Sequence, residues 1–154
     1  MNLAETNVLA TKVQRQIYQL VRLYQSCDRR CLGERGVSAS QGYTLLSLPQ
    51  EGSLNMNELS EAMGLANSTT TRIVDQLVKK DLVHRGEDIE DRRVVRVQLT
   101  ARGRELWLAL DTELHDFFAQ VMDGIQADER PVILHALERL TTSLAKALGG
   151  CCPE

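Results

Sequence analysis

Two groups of side chains in this 154-residue sequence have types and spacings that could do chemistry. The first is a set of four cysteines, Cys27, Cys31, Cys151 and Cys152. Cys27 and Cys31 are four residues apart, so on a helix both thiols share one face, as two ligands to a soft metal or metalloid ion would. Cys151 and Cys152 could supply further thiolates if the end of the chain folds back, within or across subunits, and oxidant sensing by disulfide exchange is the related chemistry. The competing reading is plain packing, because Cys27 and Cys31 continue an apolar stripe and buried Cys commonly acts as a small hydrophobe. Their spacing is also not the C-x-x-C of redoxins or zinc ribbons.

The second group is polar and basic: Ser68, Thr69, Thr71, Arg72, Gln76 and Lys79, followed by Arg92, Arg93 and Arg96. Hydroxyls near the start of a helix suit phosphates and base edges, since the backbone N–H groups there also point at anions. A guanidinium at Arg72 can pair bidentately with guanine O6 and N7, or it can serve a structural ion pair. Arg92 and Arg93 lie beside Glu87, Asp88, Glu90 and Asp91, so a solvated charged loop competes with a binding loop there. Charge distribution favours binding of a polyanion. Nine of the 18 Lys/Arg residues fall between Asn67 and Arg104 against six acids, while the remainder of the chain holds nine bases and 15 acids. The overall net charge of −3 hides this segregation.

Catalytic patterns are missing. No Gly-rich phosphate loop follows a strand, and H-E-x-x-H, G-x-S-x-G and a placed Ser/His/Asp set are absent. His84, His115 and His135 follow no metal spacing. The expected class is therefore not an enzyme. No apolar run approaches the roughly 20 residues of a spanning helix, and the N-terminal region lacks a basic-then-apolar signal. A cytoplasmic protein with no membrane association and reduced thiols is expected.

The elements that must position these groups are mostly helical. With six aromatics, Leu, Val, Ile and Ala must fill the core, which favours helix packing. Leu9, Val13, Ile17, Leu20, Tyr24, Cys27 and Cys31 recur at steps of three and four, predicting one long helix from about residue 5 to 32, ended by Gly33 and Gly36. Ser38 to Gln41 matches the S-x-x-Q capping box, and Asn55 to Glu58 repeats its logic. Each opens a short helix, the first carrying Leu45 and Leu48 and the second Leu59, Ala62 and Met63. A third helix, capped by Asn67 or Ser68, should bury Thr70, Ile73, Val74 and Leu77. The turn Gly64-Leu65-Ala66 between the last two makes a helix-turn-helix. The period then becomes alternating at Leu82–Arg85 and Val95–Leu99, predicting a two-stranded hairpin with a charged tip over residues 86–93. Thr100 caps another long helix (Leu106, Leu110, Leu114, Phe117, Val121, Ile125), and Pro131 sits at the start of a last one (Ile133, Leu137, Leu140, Leu144, Leu148). Three long helices with single stripes leave much apolar surface, which pairing of two subunits would cover.

The run from Leu59 to Gly103, LSEAMGLANSTTTRIVDQLVKKDLVHRGEDIEDRRVVRVQLTARG, strongly resembles the MarR (multiple antibiotic resistance regulator) family of transcriptional regulators. Asp91-Arg92-Arg93, Leu99-Thr100 with Gly103, and Ser68–Leu77 carry the resemblance, and the surrounding helices have the family's lengths and order. The resemblance implies a mainly α fold with a small two-stranded β wing. Residues 37–100 would form a winged helix-turn-helix DNA-binding domain, and residues 1–36 and 101–154 a helical dimerisation region. It also implies a repressing homodimer on a pseudo-palindromic site in double-stranded DNA, with its reading helices about 34 Å apart. Arg93 would enter the minor groove, Arg92 or Arg96 would meet phosphates, and Asp91 would brace the arginines. Such regulators usually exchange DNA for an effector, often an aromatic or phenolic anion held between the dimerising helices and the winged domain. The cysteine set departs from the general family pattern and points instead to a metal, metalloid or oxidant effector. Asp81 stands where relatives usually carry glycine, which puts that turn's geometry in question. A winged-helix module that binds protein rather than DNA is the alternative of a different class.

Overall fold

The computed structural model describes residues 3–88, 91 and 93–149. In chain order the elements are α1 (Leu3–Glu34), α2 (Ala39–Ser47), β1 (Leu54–Asn55), α3 (Met56–Met63), α4 (Asn67–Lys79), β2 (Val83–Glu87), β3 (Val95–Leu99), α5 (Ala101–Asp123) and α6 (Arg130–Gly149). The chain divides into two compact units, Met1–Glu113 and Leu114–Glu154, with the dividing line inside α5.

The first unit is built around a buried apolar core. Leu45 and Leu48 from α2 and its end, Leu59 from α3, Val74 and Leu77 from α4, Val97 from β3 and Leu110 from α5 are all fully buried. These are the positions at which helical and alternating patterns place apolar side chains, so local pattern and global packing agree. The Ser38 capping box is present: the Ser38 hydroxyl accepts from the Gln41 N–H at 3.3 Å and the Gln41 side chain accepts from the Ser38 N–H at 3.2 Å. Asn55 caps α3 in the same way, its side chain accepting from the N–H groups of Asn57 and Glu58 at 2.9 and 3.0 Å.

Four local expectations change. Gly33 lies inside α1, which ends at Glu34; Gly36 (φ 71°) then turns the chain, and the Val37 N–H reaches back to the Leu32 carbonyl at 3.3 Å. The cap of α4 is Ala66, which offers no side-chain acceptor. Asn67 is already helical, and its side chain is used elsewhere. The first wing strand runs Val83–Glu87, one residue later at its start and two longer at its end than the alternating pattern indicated. Finally, the sheet has three strands in the order β1-β3-β2, all antiparallel, rather than two. Leu54 pairs with Val97 and Asn55 with Arg96, while β2 and β3 pair from Val83↔Leu99 to Glu87↔Val95. A two-residue strand shows no period, and Asn55 had already a full local explanation as a cap.

The second unit is the remainder of α5 and α6. Phe117 and Phe118 meet edge to face at 5.4 Å between ring centroids, and the Arg130 Nε donates to the Ile125 carbonyl at 3.1 Å across the connecting turn. No described residue of α6 is buried; its stripe of Ile133, Leu137, Leu140, Leu144 and Leu148 is solvent-facing within one chain. Among the described residues no helix is long and apolar enough to cross a membrane.

Candidate nucleic-acid interface

α4 carries the polar face on a buried rail. Thr70, Ile73, Val74 and Leu77 are buried, leaving Ser68, Thr69, Arg72, Asp75, Gln76 and Lys79 exposed at helical spacing on the other side. Thr71 is half-buried, and its hydroxyl donates to the Asn67 carbonyl one turn back at 2.8 Å. Arg72 makes no ion pair or hydrogen bond among the described residues, so its five donors point into solvent. That disfavours the structural ion-pair reading of this side chain. Gln76 is different. Its side-chain oxygen accepts from Gln41 at 2.9 Å, and Lys80 Nζ in turn donates to the Gln41 oxygen at 2.8 Å and to the Gly36 carbonyl at 2.7 Å. Gln76 therefore ties α4 to α2, with its amide donors left over for other partners.

The start of α4 is fixed to α3 by side chains. Ser60, 5% exposed, lies 2.6 Å from the Asn67 side-chain oxygen and 2.7 Å from the Met56 carbonyl, and the Asn67 amide donates to Asn57 at 3.0 Å. Gly64, in the left-handed region (φ 61°), turns the chain between the two helices. The helix-turn-helix is thus held by packing beneath and by this polar clasp at its open end.

In the wing, Arg93 is exposed and Arg96 half-buried; Arg92 lies outside the described residues. The Asp91 carboxylate accepts from the Arg93 N–H at 3.0 Å, an Asx-type turn that shapes the tip. Asp91 therefore acts on the Arg93 backbone. Asp88 pairs with the Arg96 guanidinium and also accepts from the Asp91 N–H at 3.3 Å. Arg85 reaches from β2 to Asp75 of α4 at 3.0 Å, joining the hairpin to that helix. Asp88, Asn67, Gln41 and the Arg85–Asp75 pair were missed from the sequence. Hairpin register offered one signal: with Gly86 opposite Arg96, Asp88 falls diagonally beside Arg96 on the same face.

A cleft of about 640 Å³ opens at the far end of α4, where Lys79, Lys80 and Arg102 stand with Asp81 and Glu105 beside Leu82 and Leu106. Its lining therefore carries both signs of charge. The side chains of Cys27 and Cys31, and all of Cys151 and Cys152, lie outside the described residues.

Comparison with known proteins places this geometry. The sequence profile of the MarR family matches residues 37–95. The chain is 30% identical over 111 residues to the uncharacterized HTH-type transcriptional regulator YfiV of Bacillus subtilis, covering 72% of this chain and 69% of that one. It is 32% identical over 95 residues to the HTH-type transcriptional repressor MdtR of the same organism, covering 62% and 61% of the two chains. Among solved structures, the Staphylococcus aureus MepR–DNA complex superposes with a TM-score of 0.75 at 20% identity, over 86% of this chain and 97% of that one, a likeness of fold.

Proposed function

Because the chain belongs to the MarR family, we propose that it is a transcriptional repressor that binds a pseudo-palindromic duplex as a homodimer and is released by an effector. The observation that carries the reading is the outward face of α4. Its residues Ser68, Thr69, Thr71, Arg72, Gln76 and Lys79 are held rigidly from behind, and Arg72 presents an uncommitted guanidinium. In the major groove Arg72 reads a guanine edge, the hydroxyls and Lys79 take phosphates, and the wing delivers Arg93 to the minor groove beside Arg92. The MepR–DNA complex supports this use of the fold, and the repressor MdtR supports the sign of regulation. The uncovered stripe of α6 supports pairing of two copies, which is also what gives two reading helices.

The test is binding to a duplex enriched from a randomised library by the wild-type chain. Arg72→Ala should weaken binding at least about tenfold and relax preference at one base position. Arg93→Ala should weaken it and flatten the salt dependence by about one contact. Binding with no salt dependence would instead mark a protein-interaction module.

Two effector readings have separate support. α1 is helical through positions 27 and 31, keeping Cys27 and Cys31 one turn apart as a thiolate site for a metal or metalloid ion, or an oxidant-sensitive pair, requires, with Cys151 and Cys152 as further thiols. The cleft, whose Arg35, Lys79, Lys80 and Arg102 outnumber Asp81 and Glu105 beside the apolar Leu82, Leu106 and Ala109, supports the second reading, an aromatic carboxylate. Measuring duplex affinity with thiols reduced, oxidised, alkylated, or loaded with zinc, copper or arsenite separates them. An affinity indifferent to all those treatments but lowered by aromatic carboxylates selects the cleft.

A further inference from the structure

Resting on the reading of α4 as the helix that enters the major groove, we propose that Gln41 is a positioning residue for Gln76. It sets which end of the Gln76 amide faces the duplex, and so makes Gln76 a reader of guanine rather than adenine. A glutamine amide has an oxygen acceptor at one corner and an NH2 donor at the other. A free one pairs with adenine by using both, its oxygen taking the N6 amino group and its nitrogen donating to N7. Gln76 is not free, and the direction of its hydrogen bond is imposed from Lys80, whose ammonium can only donate. Lys80 Nζ donates to the Gln41 side-chain oxygen at 2.8 Å, and the Ser38 N–H donates to that same oxygen at 3.2 Å. With its oxygen held there, Gln41 turns its amide nitrogen to α4, where it donates to the Gln76 oxygen at 2.9 Å.

Gln41 is 6% exposed. Turning its amide over would set its NH2 against the Lys80 ammonium and the Ser38 N–H, donor against donor in a buried place, which is costly. Gln76 itself is exposed, one turn beyond Arg72 and one turn before Lys79, so its outer corner shares their face of α4. Because its oxygen is engaged with α2, that outer corner is the NH2. Guanine presents two acceptors, O6 and N7, side by side in the major groove, whereas the amino group of adenine would meet another amino group. The donor order that begins at Lys80 thus ends as a base preference at Gln76.

The experiment is base selection from a randomised duplex library by the wild-type chain and three variants. Gln76→Ala identifies the base pair concerned, as the position where preference relaxes, and the wild-type chain should select guanine there. Gln41→Glu keeps an oxygen for Ser38 and Lys80, and glutamate serves a capping box as glutamine does, so α2 keeps its cap. Its second oxygen accepts where Gln41 donated, so the Gln76 amide turns over and shows its oxygen to the groove. Preference should pass from guanine to adenine or cytosine, whose amino groups donate, and affinity for the wild-type duplex should fall about fivefold or more. Gln76→Glu presents an outward oxygen with Gln41 untouched and should make the same switch. A wild-type choice other than guanine, no position relaxed in Gln76→Ala, or guanine retained in either glutamate variant would each overturn the proposal. A wild-type chain that shows no salt-dependent duplex binding would instead sink the functional reading itself.

Discussion

Gly103, in the first turn of α5, has no room for any side chain. A Cβ built there would stand 1.9 Å from the Leu82 carbonyl oxygen and 2.9 Å from its carbon, both rigid backbone. The same carbonyl accepts the Thr100 N–H at 3.2 Å, and the Thr100 hydroxyl donates to the Asp81 carbonyl at 2.7 Å, so α5 is stitched to the base of the wing at this corner. Gly103→Ala must push the two apart. It should lower stability by more than about 2 kcal/mol, read as a shift of the urea midpoint at constant slope. Asp81 occupies the left-handed region (φ 57°) at the same corner. Aspartate tolerates that conformation better than most residues, which is how the turn persists without a glycine. The motif drew attention to Gly103 and the departure to Asp81. The reason for each, a carbonyl 1.9 Å away and a positive φ, exists only once the wing has folded back.

Capping decides the short helices, and both capping boxes were legible because cap and partner are three residues apart in sequence. The start of α4 was not legible in the same way. A polar residue at a helix start reads as a cap, yet Asn67 faces α3 and joins Ser60 and Asn57. Asn67→Ala should leave the α4 helix intact by circular dichroism. It should cost about 1–2 kcal/mol, because the buried Ser60 hydroxyl loses a partner. The loosened clasp between helices should also lower duplex affinity more than a Ser68→Ala control does. Sequence separation explains what was missed here: Gln41–Gln76, Arg85–Asp75 and β1–β3 all pair residues at least ten apart.

At the scale of the molecule, basic charge is concentrated in residues 67–104 and apolar stripes lie unburied on long helices. Leu137 and Leu144 are 47% and 52% exposed in the single chain, part of a continuous apolar stripe of the kind that marks an interaction surface. Leu137→Glu with Leu144→Glu should convert the protein to a monomer in sedimentation analysis. Duplex affinity should fall by about 100-fold or more, since two linked reading heads act at high effective concentration. A variant that stays dimeric and binds normally would refute the role assigned to this stripe. The cysteine proposal also belongs to this scale, because residues 27 and 31 lie more than 100 positions in sequence from residues 151 and 152.

Local periodicity, capping pairs and the D-R-R and Leu-Thr motifs determined the element order, the buried rail of α4 and the family, because each depends on residues within about one or two turns of one another. Tertiary structure alone decided which polar side chains remain available. It left Arg72 facing solvent, engaged Gln76 with Gln41, and gave Arg96 to Asp88. The physical reason is that a charged or polar side chain takes the partner that the fold brings within about 3 Å. Spacing along the chain does not encode that neighbour.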